Sequence, residues 1–283
     1  MVFTDMLVCL DSYPDASSTT AVDQCARLAA ALGEGVCAVA AHVRIPLKSN
    51  LIANLLLDLS DVARKEEARS LQNAQNVLER FVTSASVAGL AAPTTMIIRA
   101  DLQDPSERIV QIARTRSLCL IPQERIDDGQ ASLAEAVIFG SGRPAVVFAA
   151  GDQAVVKGGL DTVVVAWDGG RAAARTVADA MPVLSRAGGV RIVSVLNDKP
   201  SVSAGSATDL VRHLAVSGIS AVLDEIDGRG QEIGRCLTRH AQDCGADLLV
   251  MGAFGHSRAR EFILGGATQS LLREPIVPVF LSH

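Results

Sequence analysis

Aromatic residues are scarce in this 283-residue chain: one Trp, one Tyr and seven Phe. A single indole and a single phenol leave few platforms for stacking unpaired bases, which argues against a binder of single-stranded nucleic acid. Basic residues do not cluster, and the formal charge is −5. Neither nucleic acid nor an anionic membrane surface is favoured by that balance. No apolar run approaches a membrane span. The start, Met1-Val-Phe-Thr-Asp-Met-Leu-Val-Cys-Leu-Asp11, lacks the basic segment and the cleavage site of a signal peptide. The cysteines at 9, 25, 37, 119, 236 and 244 form no C-x-x-C pair, and no histidine is spaced to complete a zinc site with Cys236 and Cys244. Several cysteines lie in apolar runs, where the thiol acts as a small hydrophobe. These absences predict a cytoplasmic protein with reduced, mostly structural thiols.

Apolar residues make up 49% of the chain, enough to bury cores in two domains of ordinary size. The chain repeats itself weakly. Thr4–Asp11 parallels Leu160–Asp168, each an apolar strand closing on Asp before an Ala-rich helix. Ser117–Pro122 parallels Asp247–Gly252, and Arg143–Phe148 parallels Pro275–Phe280. A repeat of half the chain length implies tandem domains, because solenoid units are far shorter. Ala149 to Gly159 reads as the linker, giving domains at 1–150 and 159–283.

Within each half, apolar strands alternate with amphipathic helices. In the first, strands are predicted near 5–10, 36–43, 94–98, 117–121 and 144–149, with helices near 18–32, 59–88, 104–115 and 131–139. In the second, strands are predicted near 161–166, 190–196, 220–225, 247–251 and 276–281, with helices near 171–187, 207–217, 230–244 and 267–273. Strands apolar on both faces imply parallel sheets covered by helices, an α/β fold.

The most specific segment is Met251-Gly-Ala-Phe-Gly-His-Ser-Arg-Ala-Arg-Glu-Phe-Ile-Leu-Gly-Gly-Ala-Thr268. It follows a buried strand and precedes a short helix, an arrangement that offers backbone N–H groups to an anion. No Gly-Lys-Ser/Thr follows, so it is not a Walker loop, and it is not the dinucleotide fingerprint either. Its pattern is Gly252, two residues, Gly255, nine residues, Gly265. This resembles the nucleotide loop of the universal stress protein family, and the chain resembles a tandem two-domain member.

The resemblance implies two doubly wound domains, each a five-stranded parallel sheet in the order 3-2-1-4-5. In such a sheet the ligand crevice lies where the order reverses, at the carboxyl ends of strands 1 and 4. The resemblance further implies an adenine nucleotide (ATP, ADP or AMP), with or without Mg²⁺, as the ligand of the second half. The contacts implied are Ala166, Trp167 and Asp168 after strand 1, Val195 after strand 2, and Met251, Gly252, Phe254 and Gly255 after strand 4. Gly265, Gly266, Ala267 and Thr268 would meet the phosphates. Asp168 can accept hydrogen bonds from ribose or base donors, cap the helix near Arg171, or do both. Family members that hold triphosphate usually carry Ser or Thr where Gly266 stands. One lost hydroxyl contact is worth about 0.5–1.5 kcal/mol, so binding is expected to survive with less preference among the three nucleotides. Replacing Gly252 or Gly265 with Val is expected to weaken binding while sparing the fold. His256 and Arg258 read as a solvated loop face or as phosphate contacts, and His213, His240 and His283 as surface residues.

The first half departs from the pattern. Pro122 stands where Gly252 stands and has no N–H to donate, while Glu124, Asp127 and Asp128 would repel phosphate. Gly140-Ser141-Gly142 reads as a helix stop before Pro144. Asp11 is retained and would cap a helix starting near Ala16. The first domain is therefore expected to be a structural or dimerising partner without a phosphate site. A regulatory or protective stress role is implied, acting through a protein partner of unknown identity. The rivals are a slow ATPase or nucleotidyl transferase and an interaction module with an empty or non-nucleotide pocket. Against enzymes, the loop lacks a Walker-type Lys and a carboxylate pair for Mg²⁺. In the family, the last strands meet across a two-fold axis. A tandem chain can make that contact internally as a pseudo-dimer, over a linker that spans about 30 Å. A further homodimer is left open.

Overall fold

Met6–Leu10 is apolar at every position and forms β1, buried along its whole length. The computed structural model describes residues 2–46, 59–102, 106–124, 128–152, 156–196, 204–228, 230–253, 255–256, 263–264, 271–272 and 275–283. After β1 the first half continues with α1 (Thr19–Leu32), β2 (Val36–Arg44), α2 (Leu59–Val87) and β3 (Thr94–Asp101). It closes with α3 (Ser106–Ala113), β4 (Leu118–Gln123), α4 (Asp128–Gly140) and β5 (Ala145–Ala149). The second half runs β6 (Thr162–Ala166), α5 (Arg171–Leu184), β7 (Gly189–Leu196), α6 (Ala204–Val216) and β8 (Ala221–Asp227). Then come α7 (Ile233–Asp243), β9 (Leu248–Gly252), the short strands β10 (Gly255–His256) and β11 (Ile263–Leu264), and β12 (Val279–Ser282).

Local chemistry explains the boundaries. Ser18 caps α1, its hydroxyl accepting the Ala21 N–H at 3.1 Å. Ala21, Val22, Cys25, Leu28, Ala29 and Leu32 form the buried stripe of that helix. Gly33 follows as the closing residue, where a side chain would lie 2.1 Å from the Phe3 carbonyl oxygen. The last strand starts later than the apolar pattern suggests. Pro278 has no N–H for a ladder, and pairing begins at Val279. Of the helix expected over 267–273, only Leu271 and Leu272 fall among the described residues; both are helical and buried.

Each half arranges its strands in the order expected for a doubly wound sheet, but the two sheets are one. Ten strands run β3-β2-β1-β4-β5-β12-β9-β6-β7-β8. Every pairing is parallel except β5 with β12, which sets Val279 opposite Val147, Phe280 opposite Val146 and Leu281 opposite Ala145. Alternate side chains feed the two faces. Met6, Val8 and Leu10 join α1, α2, α5 and α6 in one core. Leu7 and Cys9 join α3, α4 and α7 in the other. Both cores cross from one half to the other, through Val146, Phe148, Val163 and Phe280 on one face and Val147, Val164, Val279 and Leu281 on the opposite face.

The described part of the linker is docked rather than loose. Ala150, Val156 and Leu160 are buried. The Gln24 amide donates to the Gly151 carbonyl at 3.0 Å and accepts its N–H at 2.8 Å. Lys157 reaches the Asp247 carboxylate at 2.9 Å and the Gly245 carbonyl at 3.0 Å. No described helix is long and apolar enough to cross a membrane.

Candidate functional site

The order reverses between β6 and β9, which pair Val163 with Leu248 and Val165 with Val250. Beyond these pairs the two chains part, and Ala166-Trp167-Asp168 and Met251-Gly252 stand at neighbouring strand ends. The Trp167 N–H donates to the Val193 carbonyl at 2.9 Å. Its indole packs against the core and donates to the Ser206 hydroxyl at 3.2 Å. Asp168 folds the next turn by accepting the Gly170 N–H at 2.8 Å. Gly169 completes it at φ 70°, where a side chain would be strained and would meet the Ser206 hydroxyl at 3.1 Å.

Asp168 is therefore not the cap of α5. Gly170 occupies that position and supplies no side-chain acceptor. The carboxylate is held two residues earlier by a turn hydrogen bond, which competes with capping. Val195 and Met251 have buried side chains within the same core, so they offer the crevice only backbone. Gly255 pairs with Leu264 and His256 with Ile263 in a short antiparallel ladder that the sequence pattern did not suggest. Phe254, Arg258, Gly265, Gly266, Ala267 and Thr268 lie outside the described residues.

Gly252 has a structural role that the spacing alone does not reveal. A Cβ there would lie 2.6 Å from the Ala172 carbonyl carbon and 2.6 Å from the Ala173 nitrogen. Its lack of a side chain lets β9 approach the first turn of α5. Valine at 252 is thus expected to disturb the fold itself, contrary to the expectation from the loop pattern.

At the corresponding place in the first half, side chains of the protein bridge the strand ends. The Glu124 carboxylate accepts the Ser18 N–H at 2.9 Å, placing a protein anion at the start of α1. The Glu124 N–H donates to the Gln130 amide oxygen at 2.9 Å, and the Gln130 amide nitrogen donates to the Asp11 carboxylate. Gln130 is buried. Asp11 does not cap α1, which begins at Thr19 behind Ser18. Instead, its N–H donates to the Ser17 hydroxyl at 3.0 Å, and its carbonyl accepts the Ser17 N–H. Pro122 is paired within β4 opposite Phe148. Asp127 falls outside the described residues, and Asp128 is the first residue of α4. Gly140-Ser141-Gly142 is a helix stop: Ser141 N–H closes onto Val137 O at 3.0 Å and Gly142 takes φ 68°.

The model of the universal stress protein family matches residues 159–283. That half of the chain is thus similar to the universal stress protein family. A universal stress protein of Synechocystis is 32% identical over 87 residues, 31% of this chain. The match spans 29% of that relative's length. The fold likeness extends over both halves. A universal stress protein crystal structure from Archaeoglobus fulgidus superposes with a TM-score of 0.70 at 19% identity, covering 98% of this chain and 97% of its own. One from Pseudomonas aeruginosa, described as a putative universal stress protein, gives 0.55 at 12% identity over 99% and 93%. The first half thus shares the family's architecture, while the family model itself matches the half carrying the glycine segment.

His283 is exposed, as read from sequence, yet makes specific contacts, whereas His240 differs from the surface role. His283 lies edge-on to the Phe139 ring of the first half, with centroids 4.9 Å apart, and its Nδ1 is 3.0 Å from the Ala253 carbonyl. The His240 side chain is only 14% exposed, with Nε2 3.1 Å from Asp224 and 3.4 Å from the Cys244 sulfur. The signal in the sequence was the four-residue spacing of His240 and Cys244 on one helical face. The third member comes from β8 and could not be found by spacing.

The thiols are otherwise structural. None is in a disulfide, and all but Cys244 are buried. Burial pushes the Cys25 and Cys9 thiols well above the usual range and Cys119 up to about 12. Burial also raises Cys244, opposed by the Arg191 guanidinium. Thiolate is the reactive form. A disulfide-exchange reagent is therefore expected to modify at most one thiol in the native protein, Cys244, and all six after denaturation. Rapid native labelling of two or more would contradict the burial described.

Proposed function

We propose that the second half binds one adenine nucleotide per chain in the crevice between β6 and β9, and that occupancy regulates a surface read by a protein partner. Similarity of the second half to the universal stress protein family supports a role in the stress response. The observation that carries the nucleotide reading is the contrast between two topologically matched crevices. In the first half, Ser18 and Glu124 satisfy the start of α1, and Gln130 ties Asp11 to the end of β4. In the second half, the residue capping α5 provides no side-chain acceptor, and the crevice belongs to the half matched by the family.

The residues that would hold the ligand are Asp168, through its carboxylate, and the backbone of Ala166, Trp167, Val195, Met251 and Gly252. Gly255, the Phe254 backbone and Gly265 to Thr268 would complete the phosphate side. When bound, the nucleotide supplies an anion and a planar base rather than a reaction, and the chain contributes hydrogen bonds and a closed turn. Mass spectrometry of small molecules released from purified, denatured protein is expected to show AMP, ADP or ATP. Titration calorimetry on nucleotide-free protein is expected to give one site per chain. Two equivalent sites would sink the assignment to the second half, and no binding of any of the three would sink the nucleotide reading.

A further inference from the structure

Asp224, His240 and Cys244 converge in the second half on the face of the sheet covered by α7. Asp224 comes from the body of β8, His240 from the last turn of α7, and Cys244 is the residue capping that helix. One ligand-capable atom from each lies within 4.8 Å of the other two. The contacts are His240 Nε2 to Asp224 Oδ2 at 3.1 Å and to Cys244 Sγ at 3.4 Å. Arg191 of β7 clamps the same carboxylate, with Nε on Oδ2 and Nη2 on Oδ1, both at 2.7 Å.

The geometry points to a site for a divalent transition metal of the zinc type, held by Asp224, His240 and Cys244 with a fourth position open to water. Both short contacts use the same ring nitrogen. The imidazole therefore does not stand between thiol and carboxylate as a two-ended proton relay; oxygen, nitrogen and sulfur instead gather within 4.8 Å of one another. Tetrahedral zinc, with bonds of roughly 2.0–2.3 Å, separates nitrogen from oxygen by about 3.3 Å and nitrogen from sulfur by about 3.5 Å. Nitrogen already stands at nearly these spacings from oxygen and from sulfur, and all three donors lie within 4.8 Å of one another. The mixed sulfur, nitrogen and oxygen set disfavours Mg²⁺ and Ca²⁺, which take oxygen ligands.

Loading forms metal bonds to sulfur, nitrogen and oxygen and needs no oxidant or reductant. The thiol proton leaves to solvent, and the imidazole carries its proton on Nδ1. The carboxylate and thiolate balance the metal's two positive charges. Arg191 adds one more, and its retained hold on Oδ1 fixes the carboxylate as an outer partner does in metal sites. The cluster takes nothing from the ends of β6 and β9, so it stands apart from the nucleotide reading.

The test uses full-length, reduced, metal-stripped protein titrated with Co²⁺ and then Zn²⁺. One Co²⁺ per chain is expected, with a thiolate-to-cobalt charge-transfer band that Zn²⁺ abolishes. Cys244→Ser is expected to lose the band. His240→Gln is expected to weaken Zn²⁺ binding by more than the roughly 10–100-fold typical of losing an outer partner. Stoichiometric Zn²⁺ is also expected to protect Cys244 of the unmutated chain from alkylation, which keeps the test valid where a variant folds poorly. Absence of the band in the unmutated protein, an equal band in Cys244→Ser, or unprotected Cys244 at saturating Zn²⁺ would each overturn the assignment.

Discussion

Phe280→Ala is expected to lower the unfolding free energy by about 3–5 kcal/mol, the range for truncating a fully buried aromatic. Phe280 has no exposed surface, pairs with Val146 across the junction of the two halves, and stacks on Phe3 with centroids 6.2 Å apart. It belongs to a core that includes β1, α1, β6 and α5. The loss should therefore weaken both halves together. The chain has a single tryptophan, Trp167, so its fluorescence reports the second half while far-ultraviolet circular dichroism reports both. Urea unfolding is expected to give coincident transitions by the two signals, shifted together to lower urea in the variant. Separate transitions, with only one displaced, would show that the halves unfold independently despite sharing a sheet.

Gly252→Val is expected to cost about 3 kcal/mol, at the upper end of ordinary overpacking, and to lower Tm by roughly 6–12 °C for a chain of this size. The added Cβ meets the Ala172 and Ala173 backbone at 2.6 Å, so α5 must move away from β9. No rotamer relieves a contact made by Cβ itself. Gly205→Ala is the matched control. Gly205 lies in the first turns of α6, and a Cβ there meets nothing within 4 Å. That exchange is expected to be neutral or stabilising by up to about 1 kcal/mol. A thermal melt of Gly252→Val that matches the unmutated protein would remove the close-approach argument. Binding measurements on this variant are interpretable only alongside its melt, because a displaced α5 also shifts the Asp168 turn.

Much of the architecture is legible in the sequence because it follows from local periodicity. Runs such as Leu7-Val-Cys-Leu10 and Val163-Val-Val-Ala166 are apolar on both faces and can only be interior strands. The stripes on α1 and α2 fix which helical faces are buried. The half-length repeat divides the chain, and the spacing of Gly252, Gly255 and Gly265 points to the family. What the sequence could not supply depends on approach between distant segments. The resemblance implied that the two last strands meet, each being an apolar edge whose open backbone groups need a partner, but not the antiparallel register of β5 on β12 that merges the two sheets into one. Only packing shows that Gly252 makes room for α5, that Ser18 rather than Asp11 caps α1, and that Glu124 and Gln130 bridge the strand ends of the first half. Asp224, His240 and Cys244 come together for the same reason. Periodicity tells which face of an element is buried, but the identity of the atoms across from it is decided by how helices and strands far apart in the chain are brought into register.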